Sequence, residues 1–99
     1  MSRPLGFAIV GCGLIARFHA RALQEVADTR IVALVSRHPD NAEKLLTETG
    51  IPRCDIYSSL PEALRRPDLH AVIITTPSGY HLEPAVMAAE AGKHVVAEK

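Results

Sequence analysis

Apolar and polar positions along this chain follow a repeating order of short apolar runs and longer stretches with helical spacing. Leu5–Val10 is a six-residue, largely apolar run that predicts a strand. Beyond a glycine-bearing turn, Ile15, Phe18, Ala22 and Val26 recur on one helical face, with Arg17, Arg21, Gln24 and Glu25 on the other. Phe18, and Met87 further along, are read as core residues. Arg30–Val35 is a second strand, and Pro39 suits the first position of a helix that runs to about Thr49, with Gly50 as its stop. Asp55–Tyr57 reads as a short third strand. Ser59-Leu60-Pro61-Glu62 has the form of a capping box and opens a short helix that Pro67 helps to end. Ala71–Ile74 is apolar on both faces, as a central parallel strand requires. Thr75–Gly79 is a loop, a helix follows from about His81 to Ala91 with Gly92 as its stop, and His94–Ala97 is a fifth strand. The strictly alternating βαβαβαβαβ order predicts an α/β fold, a doubly wound parallel sheet with right-handed crossovers.

The first turn carries the most specific chemistry. Gly11-Cys12-Gly13-Leu14-Ile15-Ala16 places a Gly-x-Gly-x-x-Ala spacing between a strand and a helix, the pattern of a dinucleotide-binding Rossmann turn. Gly11 allows the sharp exit from the strand, Gly13 admits a pyrophosphate close to the backbone, and Ala16 keeps the helix near the sheet. The helix start then offers unpaired N–H groups and a partial positive charge to the phosphates. The bland alternative is a tight strand–helix turn that binds nothing.

Composition narrows the classes. The chain has 99 residues, 47% of them hydrophobic, with 11 basic residues balanced by 11 acidic ones. That balance lacks the basic footprint of a nucleic-acid binder. The 5 histidines are scattered without zinc-ligand spacing. No apolar stretch is long enough to span a bilayer, and the first apolar run lacks the form of a signal peptide. Cys12 and Cys54 lie far apart in sequence, which implies reduced thiols and a cytoplasmic protein. Residues 1–99 are read as one dinucleotide-binding domain. Because the chain stops directly after an apolar strand, it is expected to be a piece of a longer protein.

The end of the second strand is where cofactor choice is read. NAD-binding versions carry an acidic residue there for the ribose 2′-hydroxyl. This chain has Ser36-Arg37-His38, with no carboxylate before Asp40. Serine leaves room for a 2′-phosphate and Arg37 can pair with it, so the position favours NADP over NAD. Alternatively Arg37 faces solvent, or stacks on adenine in either cofactor.

The last third of the chain, Thr75-Thr76-Pro77-Ser78-Gly79-Tyr80-His81, Ala91-Gly92-Lys93-His94-Val95 and Glu98-Lys99, resembles the glucose–fructose oxidoreductase / inositol dehydrogenase / rhizopine catabolism (Gfo/Idh/MocA) family. The opening turn with His19 matches that family as well, and the resemblance covers essentially the whole chain. It implies an NAD- or NADP-dependent oxidoreductase of sugars, polyols or nucleotide-linked sugars, in which a second, α+β domain follows this one. It implies Lys99 as the active-site lysine and Glu98 as a contact to the nicotinamide-side ribose. Thr76 and Pro77 are implied in the loop beside the nicotinamide, with Thr75 taken as a cofactor contact beside them. His81 is the histidine just after that loop, either a contact to substrate or ribose or a cap or solvent-facing residue at a helix start. Gly11, Gly13, Leu14, Ile15 and Ala16 are read around the pyrophosphate. A small sugar-like substrate and a homo-oligomer of the full-length protein follow from the same resemblance, as does a second catalytic group outside these residues. A non-catalytic, redox-sensing NAD(P)-binding module is the alternative, against which the Glu98-Lys99 pair argues. A methyl-transfer domain is disfavoured by Ser36-Arg37, because those folds usually keep an acidic residue there. His38, His70 and His94 are read as bland, and Arg65-Arg66 as a solvated helix end.

Overall fold

Leu5–Val10 forms β1, and its parallel neighbours on both sides set the architecture. The computed structural model describes residues 4–76 and 82–97. Within them lie α1 (Leu14–Gln24), β2 (Thr29–Val35), α2 (Pro39–Thr49), β3 (Asp55–Tyr57), α3 (Leu60–Leu64), β4 (Ala71–Ile74), α4 (Leu82–Glu90) and β5 (His94–Ala97). The strands form one sheet in the order β3-β2-β1-β4-β5, with every pairing parallel. Crossovers from β1 run one way through β2 to β3, then return to β4 and β5 on the other side. The strand order therefore reverses between β1 and β4, the position at which open α/β sheets receive ligands.

Each face of the sheet has its own core. On one face Ile9 and Leu34 pack with Ala16 and Ala20 of α1 and Ala42, Leu45 and Leu46 of α2. On the other, Ala8, Val10, Val72 and Ile74 pack with Leu60 and Ala63 of α3 and Ala88 of α4. All four residues of β4 are buried, as its two-faced apolar run predicts. Pro39 opens α2, and Gly50 closes it at φ +69°, its N–H donating to the Leu46 carbonyl at 3.0 Å.

Several details differ from the sequence reading. The face of α1 that meets the sheet is Ala16 and Ala20, with Leu23 packed beside them. Ile15, Phe18 and Val26 stay 45%, 63% and 51% exposed, and Ala22 is exposed too. At about 100° per residue the two lines lie about 120° apart on the helix. Periodicity marks an apolar face without saying what covers it; the small alanines win the sheet because they let the helix axis approach closely. Phe18 is thus not core, whereas Met87 does pack against the core. Ser59 stands at the N-cap of α3 but makes no side-chain cap bond, so the capping box is present in position only. Arg66 is no solvated helix end. Its guanidinium holds both carboxylate oxygens of Asp68 at 2.9 Å, donates to the Tyr57 hydroxyl at 3.0 Å and pairs with Asp55. His70 has a structural contact that the sequence does not reveal: its Nδ1 accepts the Gly6 N–H at 2.9 Å.

Gly6 is the strand glycine whose absence of a side chain matters most for packing. A Cβ built there would lie 1.8 Å from the Asp68 carbonyl oxygen, which belongs to the loop entering β4. The Gly6→Ala variant is expected to lose about 1–3 kcal/mol of stability, read as a lower urea midpoint with unchanged slope; an unchanged midpoint would contradict this packing. Both cysteines are buried, and burial pushes each thiol up to about 11. At pH 8 the thiolate share is then on the order of 0.1%. Maleimide labelling of the folded chain should be slow at both sites and should become rapid only in denaturant.

Candidate functional site

The carboxyl end of β1 is held from both sides. Gly11 N–H donates to the Val35 carbonyl of β2 at 2.8 Å. Just past β4, Thr75 N–H donates to the Val10 carbonyl at 2.9 Å, and the Thr75 hydroxyl lies 2.8 Å from the Gly11 carbonyl and 3.0 Å from that of Val10. Gly11 has φ +91°, and a Cβ there would sit 2.9 Å from Thr76 Cγ2 and 3.1 Å from Thr76 N. Glycine is therefore demanded twice, by the left-handed backbone and by the closeness of Thr76. The crowding also shows that the glycine turn and the Thr75-Thr76 loop form one constellation.

Gly13 presents the opposite case. It is the N-cap of α1, at φ −91° and ψ −160°, and a Cβ there would meet nothing within 4 Å. The space beside Gly13 is open, so its missing side chain serves something other than the protein's own packing. The first four N–H groups of a helix have no partner within it. Among the described helices, α1 alone has no acidic residue in its first turn, whereas α2, α3 and α4 carry Asp40, Glu62 and Glu83 there. An open approach beside Gly13 and a helix start with no carboxylate of its own fit a diphosphate. Ala16 is wholly buried against the sheet, so it fixes the helix position and could meet a ligand only through its N–H. Leu14 and Ile15 are 72% and 45% exposed at the same helix start.

Arg17 braces this turn from behind. Its Nη1 donates to the Gly13 carbonyl at 2.9 Å and the Cys12 carbonyl at 3.1 Å, while its Nε pairs with the Glu48 carboxylate on α2. That bond from Arg17 holds the Glu48 carboxyl below the usual carboxylate range, so the pair is ionised at neutral pH. Cys12 Sγ lies 3.9 Å from the Val35 carbonyl, inside the sheet–helix core and away from the open side of the turn.

At the end of β2, Ser36 is buried. Its hydroxyl donates to the His38 carbonyl at 2.9 Å and accepts the His38 N–H at 3.2 Å. The hydroxyl proton is thus spent on the local turn, and the neighbouring Arg37 is exposed.

The structure brings Gly11, Gly13, Leu14, Ile15, Ala16, Ser36, Arg37, Thr75 and Thr76 together along the carboxyl ends of β1, β2 and β4. Pro77, His81, Glu98 and Lys99 lie outside the described residues. Arg17 and Glu48 escape the sequence reading, which gives Arg17 only to a polar helix face. Its position four residues after Gly13 is visible in the sequence, but its partner on α2 is not. A concavity of about 390 Å³ opens at the amino end of β2, between Leu23, Thr29, Ile31 and Ile51, away from the carboxyl strand ends that carry this constellation. Among the described residues no group of three or more metal-ligating side chains occurs, and no helix is long and apolar enough to cross a membrane.

Comparison with known proteins agrees with this geometry. Residues 5–99 match the oxidoreductase family described by its NAD-binding Rossmann fold, GFO/IDH/MocA. The chain is 37% identical over 100 residues to a dTDP-3,4-didehydro-2,6-dideoxy-alpha-D-glucose 3-reductase of Saccharopolyspora spinosa, covering 100% of this chain and 29% of that relative. KijD10, a 3-ketoreductase from Actinomadura kijaniata solved with NADP, superposes with TM-score 0.84 at 34% identity, covering 98% of this chain and 30% of that one. The WlbA dehydrogenase from Bordetella pertussis, solved with NADH and UDP-GlcNAcA, gives TM-score 0.83 at 34% identity over 98% of this chain and 29% of its own. The chain thus spans less than a third of the length of these relatives. With the glycine turn at the switch point, the two-faced parallel sheet and a match over nearly its full length, the chain belongs to the GFO/IDH/MocA oxidoreductase family, as its NAD-binding Rossmann fold.

Proposed function

We propose that residues 1–99 are the dinucleotide-binding domain of a two-domain NAD(P)-dependent oxidoreductase acting on the carbinol of a sugar, polyol or nucleotide-linked sugar. The observation that carries the reading is the open, acid-free start of α1 beside Gly13, set at the reversal of strand order. Gly11, Gly13, Leu14 and Ile15 would hold the diphosphate, and Ser36 and Arg37 the adenosine ribose. Thr75, Thr76, Pro77, His81 and Glu98 would line the nicotinamide side. NADP is favoured over NAD because Arg37 is exposed and the Ser36 hydroxyl is already committed to His38. Relatives with NADH and with NADP both occur, so the choice rests on these two residues.

When bound, the nicotinamide supplies hydride chemistry at the carbinol carbon. Lys99, which follows β5 closely in sequence, would hold and move the hydroxyl proton at its Nζ. In the oxidative direction that amine would take the hydroxyl proton, and in the reductive direction it would return it. A second polar group from outside these residues would share that task. The sugar-like substrates of relatives, a cytoplasmic setting and a homo-oligomer of the longer protein belong to the same proposal.

Side-by-side titrations of this chain with NADPH and NADH test the cofactor assignment. NADPH should bind more tightly, and Arg37→Asp should shrink the gap; equal affinities in the unsubstituted chain would overturn the NADP preference. Gly13→Val should weaken both ligands by at least tenfold while leaving the urea midpoint nearly unchanged, since its side chain enters open space. In the full-length enzyme Lys99→Met should cut kcat by roughly 10²–10⁴-fold with dinucleotide affinity retained. Cofactor binding without turnover on any carbinol substrate would instead favour a redox-sensing module.

A further inference from the structure

We infer that Arg17 is a positioning residue for the phosphate-binding turn, acting through the carbonyls of Cys12 and Gly13 and held in place by Glu48. The inference rests on the dinucleotide reading above and adds the device that aims the turn's donors. A peptide unit is planar and trans, so its C=O and the following N–H point in opposite directions. The Cys12 carbonyl shares a peptide with the Gly13 N–H, and the Gly13 carbonyl shares one with the Leu14 N–H. Arg17 Nη1 takes both carbonyls, at 3.1 Å and 2.9 Å, from the same side. The two N–H groups therefore point the other way. The Gly13 carbonyl is also the first helical acceptor of α1, so its peptide is fixed twice; a flip of the Cys12–Gly13 peptide, by contrast, would present a carbonyl oxygen to the phosphate instead of an N–H. Glycine at position 13 leaves the backbone free to make that flip, so a turn that needs glycine for access also needs an external brace.

The brace is well anchored. The Arg17 side chain is 14% exposed, and its Nε is engaged by Glu48 near the end of α2. One planar guanidinium thus spans two backbone acceptors and one carboxylate, a task for which the single ammonium of lysine has the wrong shape. Arg17 also sets a full positive charge behind the turn without filling the open space beside Gly13.

The test compares the unsubstituted 99-residue chain with Arg17→Ala, Arg17→Lys and Glu48→Gln. Each is titrated calorimetrically with ADP and NADPH, which carry a diphosphate, and with adenosine 2′-phosphate, which does not. Amide resonances of Gly13 and Leu14 are followed alongside. Arg17→Ala should weaken ADP and NADPH by about tenfold or more and abolish the ligand-induced shifts at Gly13 and Leu14. Adenosine 2′-phosphate should change less than twofold. Arg17→Lys should recover only part of the loss, and Glu48→Gln should fall between it and the unsubstituted chain. A general structural defect would weaken all three ligands together and overturn the inference. Equal ADP affinity in Arg17→Ala would overturn it too, and if that variant does not fold, equal affinity in Arg17→Lys does so. If the unsubstituted, folded chain binds neither ADP nor NADPH, the dinucleotide reading fails first and this inference with it.

Discussion

The anchoring of Val10 and Gly11 between two strands is the constraint on which the rest of the site depends. β2 takes the Gly11 N–H through Val35, and Thr75, the residue after β4, takes the Val10 and Gly11 carbonyls. These bonds bring together three segments far apart in the chain, and they do so where the strand order reverses about β1. Remove the parallel partner on either side and the turn loses its reference frame. Because Thr76 lies against Gly11, a side chain at position 11 would push apart the two loops that define the cleft.

Closeness of the layers follows from small residues rather than large ones. Ala16, Ala20, Ala42, Ala63 and Ala88 are all wholly buried, at least one from each helix. Alanine at the contact point brings a helix near enough to the sheet for its first turn to stand directly beyond a strand end. That spacing is what sets the start of α1 over the exit of β1. The same economy leaves Leu14, Ile15 and Phe18 outside the core. Farther from the site, Lys93 donates to the Leu69 carbonyl at 2.8 Å, and Arg66 gathers Asp55, Asp68 and Tyr57, so that polar groups fasten the loop feeding β4. The approach to β4 is therefore fixed by charge, and its interior by apolar contact.

Electrostatics in the site are built from partial charges and one well-placed ion pair. α2 and α3 neutralise their own starts with Asp40 and Glu62, while the first turn of α1 carries no carboxylate. Arg17 and Glu48 add a charge pair behind the turn, partly shielded from solvent on the arginine side. The cysteine within the turn adds nothing to this field, since burial keeps its thiol protonated at neutral pH. Backbone N–H groups thus stand at the open helix start, while the guanidinium behind the turn is spent on two carbonyls and one carboxylate.

The sequence by itself determined the element order, the parallel sheet and the turn. Strand runs such as Ala71–Ile74 and His94–Ala97 are bounded by their own composition, and the Gly-x-Gly-x-x-Ala spacing marks the strand–helix junction locally. Helix stops at Gly50 and Gly92 are equally local, because positive φ is a property of one residue. Tertiary structure decided which face of α1 is buried, since a helical period identifies an apolar line but not the surface that will cover it. It also decided the meaning of Gly6, Arg17, His70 and Arg66, whose partners lie up to 64 residues away in the chain. Those roles are pairwise, made by crossovers that bring distant segments within hydrogen-bonding distance, and no single-residue pattern encodes them.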